Sequence, residues 1–187
     1  MEFDGQQSDE RILYTVIPHP LSKYLAIART VVLAFVFPII LFMIAGIIPQ
    51  GAAILRIFSI VLSIILLIAG IWWNMMVYEK SRTYITDRRI IRFDVVSPFF
   101  RTKRALFWNE VLKTKAYAPD MFFRLFKVGV ITVEPLMSDH EDVTIPHVYY
   151  FEDLANYIDK ILYTFKNKPD DIKSIKSFIP MPKGKRN

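Results

Sequence analysis

The chain has 187 residues, 53% of them hydrophobic and 22% charged, with a mean hydropathy of +0.29. That balance is too apolar for an ordinary soluble domain and excludes a disordered polymer. The net charge of +6 suits an anionic partner, and the absence of cysteine excludes a disulfide scaffold, a thiol nucleophile and a zinc-thiolate centre.

Residues 1–29 form an N-terminal segment, followed by two apolar blocks. Thr30 to Ile48 and Ile57 to Tyr78 contain no charge, and each reaches the roughly 20 residues a helix needs to cross a bilayer core. Neither has the polar stripe of a helix packed on a soluble core. The linker between them, 49–56 (PQGAAILR), is too short for anything but an antiparallel hairpin, so both chain ends are expected on one side of the membrane. The outer turn has Arg56 alone, whereas Lys23, Arg29, Lys80, Arg82, Arg88, Arg89 and Arg92 flank the spans. An excess of Lys and Arg marks the inner face, which predicts a plasma-membrane protein with both termini cytoplasmic. The first block is too long and too far from the start for a signal core. Trp72, Trp73 and Tyr78 are placed to anchor the second span at the headgroup level. Pro38 is expected to kink the first span, and Ser59 and Ser63 to form a hairpin contact. With no ionisable side chain inside either span, transport is not expected.

From Glu79 onward the period changes to that of strands. Short runs rich in β-branched and aromatic residues occupy 83–86, 89–96, 104–111, 128–133 and 143–146. Turn residues separate them at Asp87-Arg88, Ser97-Pro98, Ala118-Pro119-Asp120 and Ser138 to Asp142. Phe151, Leu154, Ile158, Ile161, Leu162 and Phe165 then share one face of a helix, with Glu152 and Asp153 in its first turn. The last segment, 166–187, is basic and proline-containing and is expected to be disordered. The expected fold class is an α+β membrane protein. Its two-helix transmembrane hairpin (30–78, with spans about 30–48 and 57–78) precedes an antiparallel β-barrel or sandwich (79–165) capped by a C-terminal amphipathic helix.

Four segments occur in a telling order: Tyr84-x-Thr86-x-Arg88-Arg89-Ile90-Ile91, Phe107-Trp108-Asn109-Glu110-Val111, Arg124 to Val133 (RLFKVGVITV), and Val143-x-Ile145-Pro146. Behind two spans, this series resembles the membrane-flanked bacterial PH-like domain family (YdbS-like), and Asp9 to Pro20 resembles the short segment that precedes the spans there. The chain keeps Gly129 where that family usually has two glycines. The resemblance implies a PH-like barrel held at the membrane. It implies a binding or assembly module, and it supplies no catalytic residues.

No catalytic, cofactor-binding or metal-binding constellation is present in the sequence. His19, His140 and His147 are scattered without ligand spacing, the acidic turn at 138–142 lacks the spacing of a calcium loop, and no phosphate-loop, dinucleotide, nucleophile-elbow or HExxH motif occurs. The chain is therefore expected not to be an enzyme, to need no cofactor and to take no small-molecule substrate. Arg88, Arg89, Arg92, Arg101, Lys103 and Arg104 are the candidate contacts for anionic lipid, since alternate strand positions share a face. The alternative is that they only set topology and solubility. Met121, Phe122, Leu125 and Phe126, flanked by Arg124 and Lys127, are candidate interfacial apolar residues for the bilayer or a neighbouring subunit. Membrane lipid is the expected partner, with a protein partner or self-association beside it, and nucleic acid is not expected. The competing functional expectation is a structural accessory subunit of a membrane complex with no ligand of its own.

Overall fold

A computed structural model of the chain describes residues 3–47, 51–97, 100–137 and 141–180, with side chains omitted at 96 and 97. The turn at Pro98, positions 138–140 of the acidic turn, linker residues 48–50 and the basic end 181–187 lie outside the described residues. Two compact units are present: Pro20–Glu79, and a second unit built from both flanks, Met1–His19 and Lys80–Asn187.

The first unit is a pair of helices, α1 (Pro20–Ile47) and α2 (Ala52–Lys80). Their most apolar stretches have a mean hydropathy of 2.7 and are only 17% and 6% buried. Both are long and apolar enough to cross a membrane. A soluble core helix would have its apolar surface covered by protein, and these helices do not.

α1 runs through Pro38. Proline has no N–H, so the carbonyl of Ala34, one turn earlier, has no helical donor. The Ser63 hydroxyl of α2 donates to that carbonyl at 2.8 Å, and Ser59 donates to the Pro38 carbonyl at 2.8 Å. The two serines are thus the hairpin contact their spacing suggested. Further along, Asn74 donates to the Thr30 hydroxyl at 2.8 Å. Gly70 stands so close to Thr30 that a Cβ there would meet its methyl at 2.4 Å.

Among the described residues, the second unit has seven strands in two antiparallel sheets. β1 (Ile12–Val16), β2 (Arg82–Thr86), β3 (Arg89–Ser97) and β4 (Phe100–Phe107) form the first in that order. β5 (Val111–Tyr117), β6 (Val128–Pro135) and β7 (Val143–Tyr149) form the second. A short helix, α3 (Met121–Leu125), sits in the β5–β6 connection, and α4 (Phe151–Asn167) follows the last strand. The main core is an apolar cluster shared by both sheets and α4, and a smaller one of Phe3, Ile91 and Phe93 lies on the other face of the first sheet. Leu13, Ile85, Trp108, Ile131, Ile158 and Ile161 are among the members of the main core.

Three boundaries differ from the sequence reading. The segment before the spans is not a separate appendage: Ile12–Val16 is an edge strand of the first sheet, paired from Ile12↔Thr86 to Val16↔Thr83. The helical hairpin is therefore inserted into the β1–β2 connection of the barrel. The run 104–111 is two strands divided by a 3-10 turn at Trp108–Glu110, in which the Glu110 carboxylate accepts the Phe107 N–H at 3.2 Å. Finally, 166–180 is ordered. Ile175 is buried in the core, the Phe178 N–H donates to the Leu13 carbonyl at 3.3 Å, and Arg11 donates to the Ile175 carbonyl at 2.9 Å. The segment lies along β1, covering an edge that would otherwise present unpaired backbone groups.

Gly129 of β6 faces the first residue of α4. A Cβ at that position would lie 2.3 Å from the ring of buried Phe151. Gly129→Ala is predicted to lower stability by about 1–3 kcal/mol, the usual cost of overpacking. Thermal unfolding of the full chain in detergent checks this.

Candidate functional site

The register of β2, β3 and β4 decides which basic residues share a surface. Arg82 pairs with Phe93, Phe93 with Lys103, Val95 with Arg101, and Arg92 with Arg104. Successive side chains point to opposite faces, so Arg92 and Arg104 share one face with the core residues Ile90 and Leu106, while Arg101 and Lys103 share the other with Ile91 and Phe93. The six candidate lipid contacts are thus not one patch.

Arg89 is not a surface cation. Its guanidinium is buried and bidentate on Glu10, with Nε to Oε1 at 2.9 Å and Nη2 to Oε2 at 2.8 Å, and it also donates to the Gly5 carbonyl at 2.8 Å. The Thr86 hydroxyl lies 2.9 Å from Glu10 Oε1 and accepts the Arg89 N–H at 3.0 Å. Buried Trp108 donates from its indole to the Thr86 carbonyl at 3.0 Å. The Thr-x-Arg-Arg motif and the Trp of the next segment are therefore one polar knot, and the N-terminal segment is tied into it. Arg88, beside it in the turn, pairs with Asp9 and Gln7.

Arg92 pairs with Asp94 on its own strand, and Arg104 with Glu141 at 3.0 Å. Arg101 and Lys103 are exposed on the outer face, each with its cation 5.8 Å from the centre of the Phe93 ring. Phe3 covers this face. Its ring centre lies 4.8 Å from that of Tyr84, and Tyr84 lies 5.9 Å from Phe93. Beside these rings is a cleft of about 170 Å³ lined by Asp4, Lys80, Arg82 and Arg101. Lys80 is the last residue of α2 and Arg82 the first of β2. By sequence pattern alone these two cations are only topology signals. Their meeting with Arg101 depends on the β2–β3–β4 register, which local pattern does not show.

The candidate apolar residues lie on α3. Met121 is 88% exposed and Leu125 78%, while Phe122 and Phe126 are about half exposed. Of the interface anchors, Trp72 and Trp73 are exposed near the end of α2. The Lys23 ammonium sits 5.0 Å from the centre of the Tyr78 ring, joining the start of α1 to the end of α2. His19 and His147 do not form a ligand set with any carboxylate. Among the described residues no three His, Asp or Glu side chains are grouped as metal ligands. Burial pushes both imidazoles below the usual histidine range, and Arg92 depresses His147 further.

No family model and no curated protein matches the chain. Among solved structures, it is similar to a DUF1696 family protein with a pleckstrin-homology domain from Shewanella loihica PV-4. Identity is 10% and the TM-score 0.34, over 47% of this chain and 72% of that one. The PH-like layout of the second unit rests on its own architecture: sheets of four and three antiparallel strands with a C-terminal helix packed on their shared core.

Burial works to raise the Glu10 carboxyl, but its bonds to Arg89, the Gln7 N–H and Thr86 outweigh this and hold it below the usual range. Because the folded value lies below the unfolded one, the ionised pair stabilises above the unfolded carboxylate range and is lost as pH falls through the folded value. Glu10→Gln leaves Arg89 buried without its counter-charge, and a loss of about 3–5 kcal/mol is predicted at neutral pH. In urea titrations the gap between wild type and variant should shrink as the buffer is taken below the carboxylate range.

Proposed function

We propose that this chain is a membrane-anchored, non-catalytic PH-like module of the YdbS-like kind. It sits in the plasma membrane on two spans, with both termini cytoplasmic, and its barrel holds anionic lipid headgroups at the inner leaflet. The observation that carries this reading is the placement of the cations around the tether. Val16 and Thr83 are paired neighbours, so the chain leaves the barrel for α1 and returns from α2 at one end of the first sheet. Lys80, Arg82 and Arg101 line a cleft at that end. Arg88, in the turn at the other end of β2, is about 15 Å further along at the ordinary strand rise.

The chemistry is electrostatic and needs no bond-making step. Exposed Lys and Arg near an anionic surface contribute about 1 kcal/mol each, and phosphate oxygens accept from guanidinium groups in pairs. Arg101 and Lys103 are exposed beside an aromatic floor of Phe3, Tyr84 and Phe93, their cations 5.8 Å from the centre of the Phe93 ring, and the Lys103 ammonium also donates to the Asp4 carbonyl at 3.3 Å.

The experiment is lipid retention by the full chain purified from bilayers of mixed anionic and zwitterionic lipid. The double variant Arg101→Gln, Lys103→Gln spares the cations next to the spans that set topology. Two cations at about 1 kcal/mol each predict a fall of about thirtyfold in the preference for anionic lipid. Arg88→Gln, at the far end, should leave the ratio within about twofold. Equal retention by wild type and the double variant would refute headgroup binding at this end of the barrel and favour the accessory-subunit reading.

A further inference from the structure

We infer that α3 is a second membrane contact: a single helical turn that seats Met121, Phe122, Leu125 and Phe126 in the interfacial layer of the bilayer crossed by the chain's own spans. This rests on the membrane reading above and adds a site to it.

Within the barrel unit, α3 lies close to the residue that precedes α1. His19 donates its backbone N–H to the His147 carbonyl at 2.7 Å, and its ring lies 5.4 Å from that of Tyr149. The His147 ring in turn lies 5.5 Å from Phe123 of α3. The residue after His19 is Pro20, the first of α1. α3 is thus one backbone hydrogen bond and one ring contact away from the residue that precedes α1.

The composition and exposure of α3 fit the same contact. Met121 and Leu125, four residues apart on one helical face, are the most exposed large apolar side chains among the described residues of the barrel unit. Phe122 and Phe126 lie beside them with ring centres 4.9 Å apart. Arg124 and Lys127 flank the apolar face, and the Lys127 ammonium is 5.9 Å from the centre of the Tyr150 ring. Tyr117 and Tyr149 are exposed on the adjoining strands. Apolar tips with cations and tyrosines beside them are the composition of the interface between hydrocarbon and water.

The turn also satisfies its own backbone, which the bilayer demands and an aqueous loop does not. Asp120 caps the turn by accepting the Phe123 N–H at 2.9 Å. The Arg124 N–H bonds Asp120, the Phe126 N–H bonds Phe122, and the Lys127 N–H bonds Arg124. Lys127 then turns the chain into β6 with φ 56°. The turn carries its own hydrogen bonds and can be seated without leaving these donors unpaired.

The test uses the full chain, which has no cysteine, with single spin-labelled cysteines in phosphatidylcholine–phosphatidylglycerol vesicles. Leu125→Cys and Met121→Cys report on α3, Ile65→Cys on α2, and Asn109→Cys on the far end of the barrel. The ratio of oxygen to nickel-chelate accessibility at both α3 positions should be several-fold above that at Asn109. Aqueous values at α3 with a lipid value at Ile65 would overturn the α3 contact alone. Aqueous values at Ile65 as well would overturn the membrane reading itself. Spin–spin broadening between α3 labels, with aqueous accessibility, would mean that a second copy covers the turn, and that too would overturn the inference.

Discussion

The buried pair of Glu10 and Arg89 is the interaction on which the barrel depends. The barrel is written in two pieces, Met1–His19 and Lys80–Asn187, with the helical hairpin inserted between them. Closing so long an insertion costs little more entropy than closing a shorter one, because the cost rises only with the logarithm of length. The two pieces still have to find each other, and five residues of edge strand with an irregular register at Ile12–Tyr14 provide few pairs. A bidentate, charge-assisted contact at 2.8 and 2.9 Å, closed over by Thr86 and Trp108, supplies a directional lock. Its value lies in specificity, since a buried ion pair returns little net stability yet is costly to leave half made.

With the N-terminal piece fixed, the geometry of the first sheet follows. β1 and β2 run side by side so that the chain departs for α1 and returns from α2 at one end. Strand alternation then sorts the basic residues by parity and by distance along the strand. Arg89, on the same face as Ile91 and Phe93, is covered by Glu10 and Gly5, Arg92 and Arg104 meet Asp94 and Glu141, and Arg101 joins Lys80 and Arg82 in the cleft near the tether, with Lys103 on the same face. On the second sheet, the contact of His19 with His147 and Tyr149 brings the β5–β6 connection to the same chain exit.

What the sequence made legible was what depends on local pattern. The apolar helices were readable because length and purity identify them without knowledge of partners. α4 was readable because its apolar residues keep helical spacing over 17 positions. The apolar turn at 121–126 was visible as a cluster following Pro119-Asp120, and the cap by Asp120 shows why it is helical. Less legible were features set by long-range pairing. β1 is short, and its partner lies beyond the spans. Arg89 read as a surface cation because its counter-ion lies 79 positions away in sequence. The segment after α4 read as disorder from its lysines, whereas Ile175 and Phe178 are enough to dock it on β1.

The central claim is that the barrel faces the cytoplasm from a two-span tether. Single cysteines at Gln50, between the spans, and at Met137, exposed on the barrel, can be probed on intact cells with a thiol reagent that does not cross membranes. Labelling at Gln50 with protection at Met137 until the cells are opened is the result the account predicts. Labelling of Met137 on intact cells would place the barrel outside and contradict it.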